Sequence, residues 1–165
     1  MKKLLLILLC APMIGVGQIK KIENTTTQKE IGKLDNILGV TSITKYNKNN
    51  SVNYKVYFRN CKYMELNVYS EFTFEETGSD FESLYSTIID GFNFEEKGVL
   101  YKHALNYKIY NEIILDIGNG NRVFLIYGKK GFAPITFKFL YKDEHGAESW
   151  SQWLNKKQIN KLFGK

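Results

Sequence analysis

The chain has 165 residues, 44% of them hydrophobic and 15% aromatic, which is too apolar for a disordered segment and long enough for one domain with its own core. Its formal charge of +6 comes mostly from lysines scattered along the chain, with arginine only at Arg59 and Arg122. That distribution argues against a nucleic-acid partner, whose binders concentrate charge on one face and use arginine for paired contacts.

The chain opens on a basic Met1-Lys2-Lys3, runs through an apolar stretch from Leu4 to Ala11, and reaches the small residues Gly15-Val16-Gly17. This is the pattern of a cleavable signal peptide over residues 1–17, with cleavage between Gly17 and Gln18. The stretch is shorter than the roughly 20 apolar residues a membrane span needs, and Pro12 breaks it at its far end. The expected protein is exported to the periplasm or beyond, with no transmembrane segment after removal of the signal. Lipid attachment at Cys10 is not expected, because Leu9 stands where that pathway wants a small residue. Losing 17 residues leaves 148, lowers the charge to +4 with the loss of Lys2 and Lys3, and leaves Cys61 as a lone cysteine. With no internal disulfide, stability has to come from the core.

Residues 18–33 read as a loose polar lead-in with room for a short strand from Ile19 to Ile22, and 34–165 as a single globular domain. Leu34 to Leu38 could make one helical turn. Strands are expected at 40–46 and 52–58 around the turn-forming NKNNS, the second with Val52, Tyr54, Val56 and Phe58 alternating. Met64, Leu66 and Val68 continue that alternation, followed by Phe72 and Phe74. Ser79-Asp80-Phe81-Glu82 reads as a capping box ahead of a helix at about 80–91, with Phe81, Leu84, Tyr85, Ile88, Ile89 and Phe92 on one stripe and Gly91 as its left-handed stop. A meander comes next: strands at 108–117 and 122–127 around Asn119-Gly120, then 135–141, then 148–153. Asn155 and Gln158 cap a short helix at about 156–163, with Leu154 and Ile159 as a staple. The fold class is α+β, a mostly antiparallel sheet of six or seven strands with these two helices, or else a barrel-like closure capped by the last one.

Chemical signatures are sparse, and no cofactor motif is present. His103 and His145 lack the companions a metal site needs, so no metal is expected. The acid pairs Glu75-Glu76, Glu95-Glu96 and Asp143-Glu144 are neighbours in sequence and on a strand would point to opposite faces. No catalytic residue is assigned. Trp150 and Trp153 are the candidate binding residues, since exposed aromatic rings can stack on sugars or peptides, although alternation would place them on opposite faces of their strand.

Both ends and one middle segment carry a resemblance. MKKLLLILLCAPMIGVGQ, and the pair FTFEETGSDFESLYSTIIDGF and LNKKQINKLFGK, resemble small uncharacterised exported proteins of flavobacteria (Bacteroidetes). The resemblance implies an origin and a compartment, without an activity. The absence of a long C-terminal sorting extension favours periplasmic residence over release. The expectation is therefore a non-enzymatic periplasmic or secreted binding or envelope-associated module, partnered by an envelope component or another protein. It should show an exposed apolar or aromatic patch. The alternative is a small hydrolase of unrecognised type using Cys61 or His103 with a nearby carboxylate.

Overall fold

A computed structural model of the chain describes residues 27–94, 99–103 and 106–165. The expected signal segment with its Gly17–Gln18 junction, Cys10, the short strand expected from Ile19 to Ile22 and the Glu95-Glu96 pair lie outside the described residues.

Asn49 and Asn50 both adopt positive φ, 51° and 64°, and join β2 (Gly39–Lys48) to β3 (Ser51–Arg59). A two-residue turn of that kind matches the natural twist of paired strands, so it fixes the register Lys48 opposite Ser51. β1 (Gln28–Asn36) and β4 (Tyr69–Glu75) flank this hairpin, giving a four-stranded antiparallel sheet in chain order. After α1 (Asp80–Asp90) come β5 (Tyr101–His103), β6 (Tyr107–Asp116), β7 (Arg122–Lys130), β8 (Thr136–Lys142) and β9 (Glu148–Trp150), a second antiparallel sheet, again in chain order. α2 (Lys156–Leu162) comes last.

The core lies between the sheets. Tyr54, Val56 and Phe58 on β3, with Leu34, Ile43 and Phe72 from the other strands of the same sheet, face Val123, Leu125 and Tyr127 on β7 and Phe137 and Phe139 on β8. The Phe139 ring stands 5.6 Å from Phe72 and 6.4 Å from Phe58. α1 adds Phe81, Leu84 and Ile88, and α2 packs over β1 and β2 with Ile159 and Leu162 buried. Where β3 leaves the first sheet, the Cys61 N–H donates to the Trp150 carbonyl at 2.7 Å and the Trp150 N–H donates to Asn60 Oδ1 at 3.1 Å. Ser70 Oγ and Ser149 Oγ, 2.8 Å apart, extend this seam. The β3–β4 loop is thereby stitched to the edge of the second sheet.

The coarse class holds: mostly antiparallel sheet with two helices. The strand count does not, since the described residues form nine strands in two sheets where one sheet of six or seven was expected. Part of the lead-in, from Gln28, and the expected helical turn at Leu34 form β1 instead. An edge strand with α2 on one face and solvent on the other needs few apolar residues. Met64, Leu66 and Val68 are not in a strand but in an exposed loop. Asn60 Oδ1 accepts from Lys62 N–H, Tyr63 carbonyl accepts from Leu66 N–H, and Arg59 donates to the Met64 carbonyl, so the loop satisfies itself rather than a ladder.

Both helix boundaries agree closely with expectation, but the first cap differs. Ser79 makes no capping bond, since its φ of −130° and ψ of 32° are not the extended conformation a cap requires. Glu76 caps the helix from four residues upstream, its two oxygens accepting from the N–H groups of Asp80 (2.8 Å) and Phe81 (3.1 Å). Glu76→Ala should therefore cost about 1 kcal/mol in urea unfolding, while Ser79→Ala should cost almost nothing. At the other end Gly91 is right-handed (φ −60°) and leads into a 3₁₀ turn, Gly91–Asn93. Its lack of a side chain serves packing: a Cβ there would lie 2.2 Å from the Tyr127 ring, whose hydroxyl donates to the Ile88 carbonyl at 3.0 Å. At α2 the Asn155–Gln158 box forms in full.

Candidate functional site

Lys138 lies between Phe137 and Phe139 on β8, so if they face the core it must face away. That outer side would ordinarily be wet. Instead Lys138 is 1% exposed. The cause is a β-bulge. Ser151 N–H bonds to the Phe139 carbonyl in the register of β9, whereas Leu154 pairs with Phe137, one residue out of step. Gln152 and Trp153 together therefore oppose Lys138. Gln152 turns inward, its amide donating to Thr41 Oγ1, and Trp153 turns outward. Gly128 leaves room for it, for a Cβ at that position would lie 3.4 Å from the Trp153 ring and 2.7 Å from the Lys108 carbonyl.

The expectation that Trp150 and Trp153 point to opposite faces is thus overturned. β9 ends at Trp150, the bulge resets the alternation, and both indoles close over Lys138, its Nζ 4.3 Å and 5.0 Å from their ring centroids. His103 Nε2 is 2.8 Å from the same Nζ. An ammonium can only donate, so Nε2 accepts and the imidazole proton sits on Nδ1. His103 also packs edge-on to Trp150 at 4.9 Å, and Tyr107 stacks on Trp153 at 4.3 Å. Burial pushes the Lys138 amine down to about 8, while the Cys61 thiol and Glu148 pull it back up. Burial pushes the Cys61 thiol up, against the lowering fields of Arg59 and Lys138.

The sequence's four singled-out residues, Cys61, His103, Trp150 and Trp153, therefore converge, with Lys138 at the centre. It is an aromatic box already filled by the chain's own cation. Its chemistry is poor for hydrolysis: a thiol held above its ordinary range is the reverse of an activated nucleophile, and its Sγ faces the Arg59 carbonyl at 3.7 Å. His145 sits in the Asp143–Gly146 turn, its ring highly exposed and 3.5 Å from Glu144, as solvated turn residues do.

The open site is elsewhere. A cleft of about 440 Å³ lies between the sheets where α1 crosses their end. Its walls are Phe72 and Phe74 from β4, Leu84 from α1, and Leu115, Ile117 and Val123 from the β6–β7 hairpin. Asp80, Ser83, Leu84 and Thr87, at spacings of three and four, form the α1 stripe that borders it. Glu75, Asp80 and Asp116 sit around it. Of the Glu75-Glu76 pair, one carboxylate borders the cleft and the other caps α1, as neighbours on opposite sides must. Nothing in the sequence marked the cleft, because its residues come from four separate segments.

Among the described residues, no group of three or more His, Cys, Asp or Glu side chains could hold a metal ion, and no helix is long and apolar enough to cross a membrane. Comparison with protein-family models, with curated proteins and with solved structures finds no match.

Proposed function

We propose that this is an exported, non-enzymatic binding module of the periplasm or cell envelope whose binding element is the inter-sheet cleft. The single observation that carries the reading is the cleft itself: about 440 Å³, walled by aromatic and aliphatic side chains, with a few polar groups at its border. Small-molecule sites share that volume range, predominantly apolar lining and sparse polar rim. The leader at residues 1–17 supports the compartment. The filled Lys138 box is a structural cluster in this reading, holding the β3–β4 loop and β9 together.

Nile red, uncharged and bright only in apolar surroundings, tests the cleft directly. It should bind the wild-type protein with a blue-shifted emission. Ser83→Trp places a large side chain at the border and should weaken binding about ten-fold, whereas Ser86→Trp, on the same helix but away from the cleft, should leave it unchanged. No binding, or equal loss in both variants, would overturn the reading.

A further inference from the structure

Some surface carboxylates have cations beside them, Lys55 with Glu71 at 3.1 Å, Lys62 with Glu148 at 3.8 Å and Lys165 with Glu82 at 2.8 Å, while others, Glu65 and Asp90 among them, pair with no described residue. The cleft is set apart by the number of such carboxylates that share one apolar opening. Three carboxylates from three elements, Glu75 at the end of β4, Asp80 at the start of α1 and Asp116 at the end of β6, border it, and no Lys, Arg or His is among its lining residues. None of the three forms an ion pair with a described residue. In a chain whose net charge is +6, or +4 without residues 1–17, three carboxylates and no cation border an apolar cavity.

We propose that the cleft takes a cationic amphiphile, with its apolar body against Phe72, Phe74, Leu115 and Val123 and an ammonium head among Glu75, Asp80 and Asp116. The inference rests on the reading of the cleft as a binding site. Like charges around one opening repel each other, and a cation among them relieves that repulsion, whereas a fatty-acid or sulfate head would add to it. Asp80 is ionised throughout the neutral range, because the Thr77 hydroxyl and then the Thr77 N–H, both donating to Oδ2, hold its carboxyl below the usual value. That arrangement leaves Oδ1 for a ligand. Asp116 likewise commits Oδ1 to the Gly118 N–H and leaves Oδ2.

The probes are dodecyltrimethylammonium, dodecyl sulfate and dodecyl maltoside, each titrated calorimetrically below its micelle threshold at low salt. The ammonium should bind about ten-fold more tightly than either other head, and added salt should erode the difference. In Glu75→Gln/Asp116→Asn the three should converge to within about three-fold. Asp80 is left intact because it anchors Thr77 ahead of α1. Nile red separates the two levels of inference. If it binds both proteins equally, the head group is the only variable. If the wild-type protein does not bind it, the cleft reading falls and takes this one with it. Equal or tighter binding of the sulfate or maltoside, or an ammonium preference that survives the double substitution, overturns the cation alone.

Discussion

Phe139→Ala should remove about 4 kcal/mol of stability, the largest single-residue effect expected in this fold. The ring is fully buried and meets three others: Phe137 at 4.8 Å edge-on, Phe72 at 5.6 Å edge-on, and Phe58 at 6.4 Å. Phe72 and Phe58 belong to the opposite sheet, so the ring joins the two layers. Its loss leaves a cavity that neither sheet can close, each being fixed by its own ladder, and forfeits aromatic contacts on top of the buried area. Urea unfolding gives the measure, with a fall in melting temperature of roughly 12 °C. Ile114→Ala is the control. Ile114 lies on the outer face of the second sheet, 55% exposed, and its loss should cost no more than about 0.5 kcal/mol. Comparable losses at the two positions would show that the sheets are not held together through Phe139.

The same division between inner and outer faces explains what could be read from sequence. Where one face is buried and the other wet, alternation is a faithful record. Val52, Tyr54, Val56 and Phe58 fall on one face of β3, as expected, and Tyr54, Val56 and Phe58 are core residues. Local chemistry was equally legible: the Asn-rich turn before β3 and the Asn155–Gln158 box depend on residues a few positions apart. Legibility fails where tertiary structure decides. β1 escapes a reading of pattern because its apolar demand is met mostly from α2, and β5 because three residues carry too little pattern. The alternation at Met64, Leu66 and Val68 is real in the sequence, but Arg59 and Asn60 hold that backbone in turns. The bulge at Gln152–Trp153 shifts the phase by one residue, which no period of two can announce. For the same reason Lys138 reads as an ordinary solvated lysine. Four flagged residues meet around an unflagged one, and the cleft gathers side chains from parts of the chain whose nearness only the fold creates.

Lys138 supplies the second large effect, and its signature is in the pH dependence. The amine is buried against two indoles and an imidazole, and its value falls from 10.5 to about 8. Below about pH 8 both folded and unfolded chains hold the proton, so the cost of burying the charge is present in full. Between about 8 and 10.5 the unfolded chain keeps a proton that the native protein has released, and stability rises with pH. From pH 7 to 9.5 that gain should be about 2 kcal/mol. Cys61 and Tyr57, Tyr101, Tyr127 and Tyr141 are all pushed upward by burial and oppose it at the alkaline end, because each favours folding only while its proton stays on. The tyrosines are common to wild type and variant and cancel in the difference between the two proteins, whereas Cys61, which Lys138 itself lowers, rises further in the variant and adds in the same direction to the loss of its advantage at alkaline pH. Lys138→Met keeps length and bulk while removing the charge, and should be more stable than wild type by about 2 kcal/mol at pH 7, since an apolar replacement of a buried charge is often stabilising. That advantage should nearly vanish by pH 9.5, as the wild-type amine becomes neutral. An offset that stays constant from pH 7 to 9.5 in urea unfolding would mean that the indole faces and His103 Nε2 compensate the burial in full, leaving the ammonium as comfortable inside the box as in water.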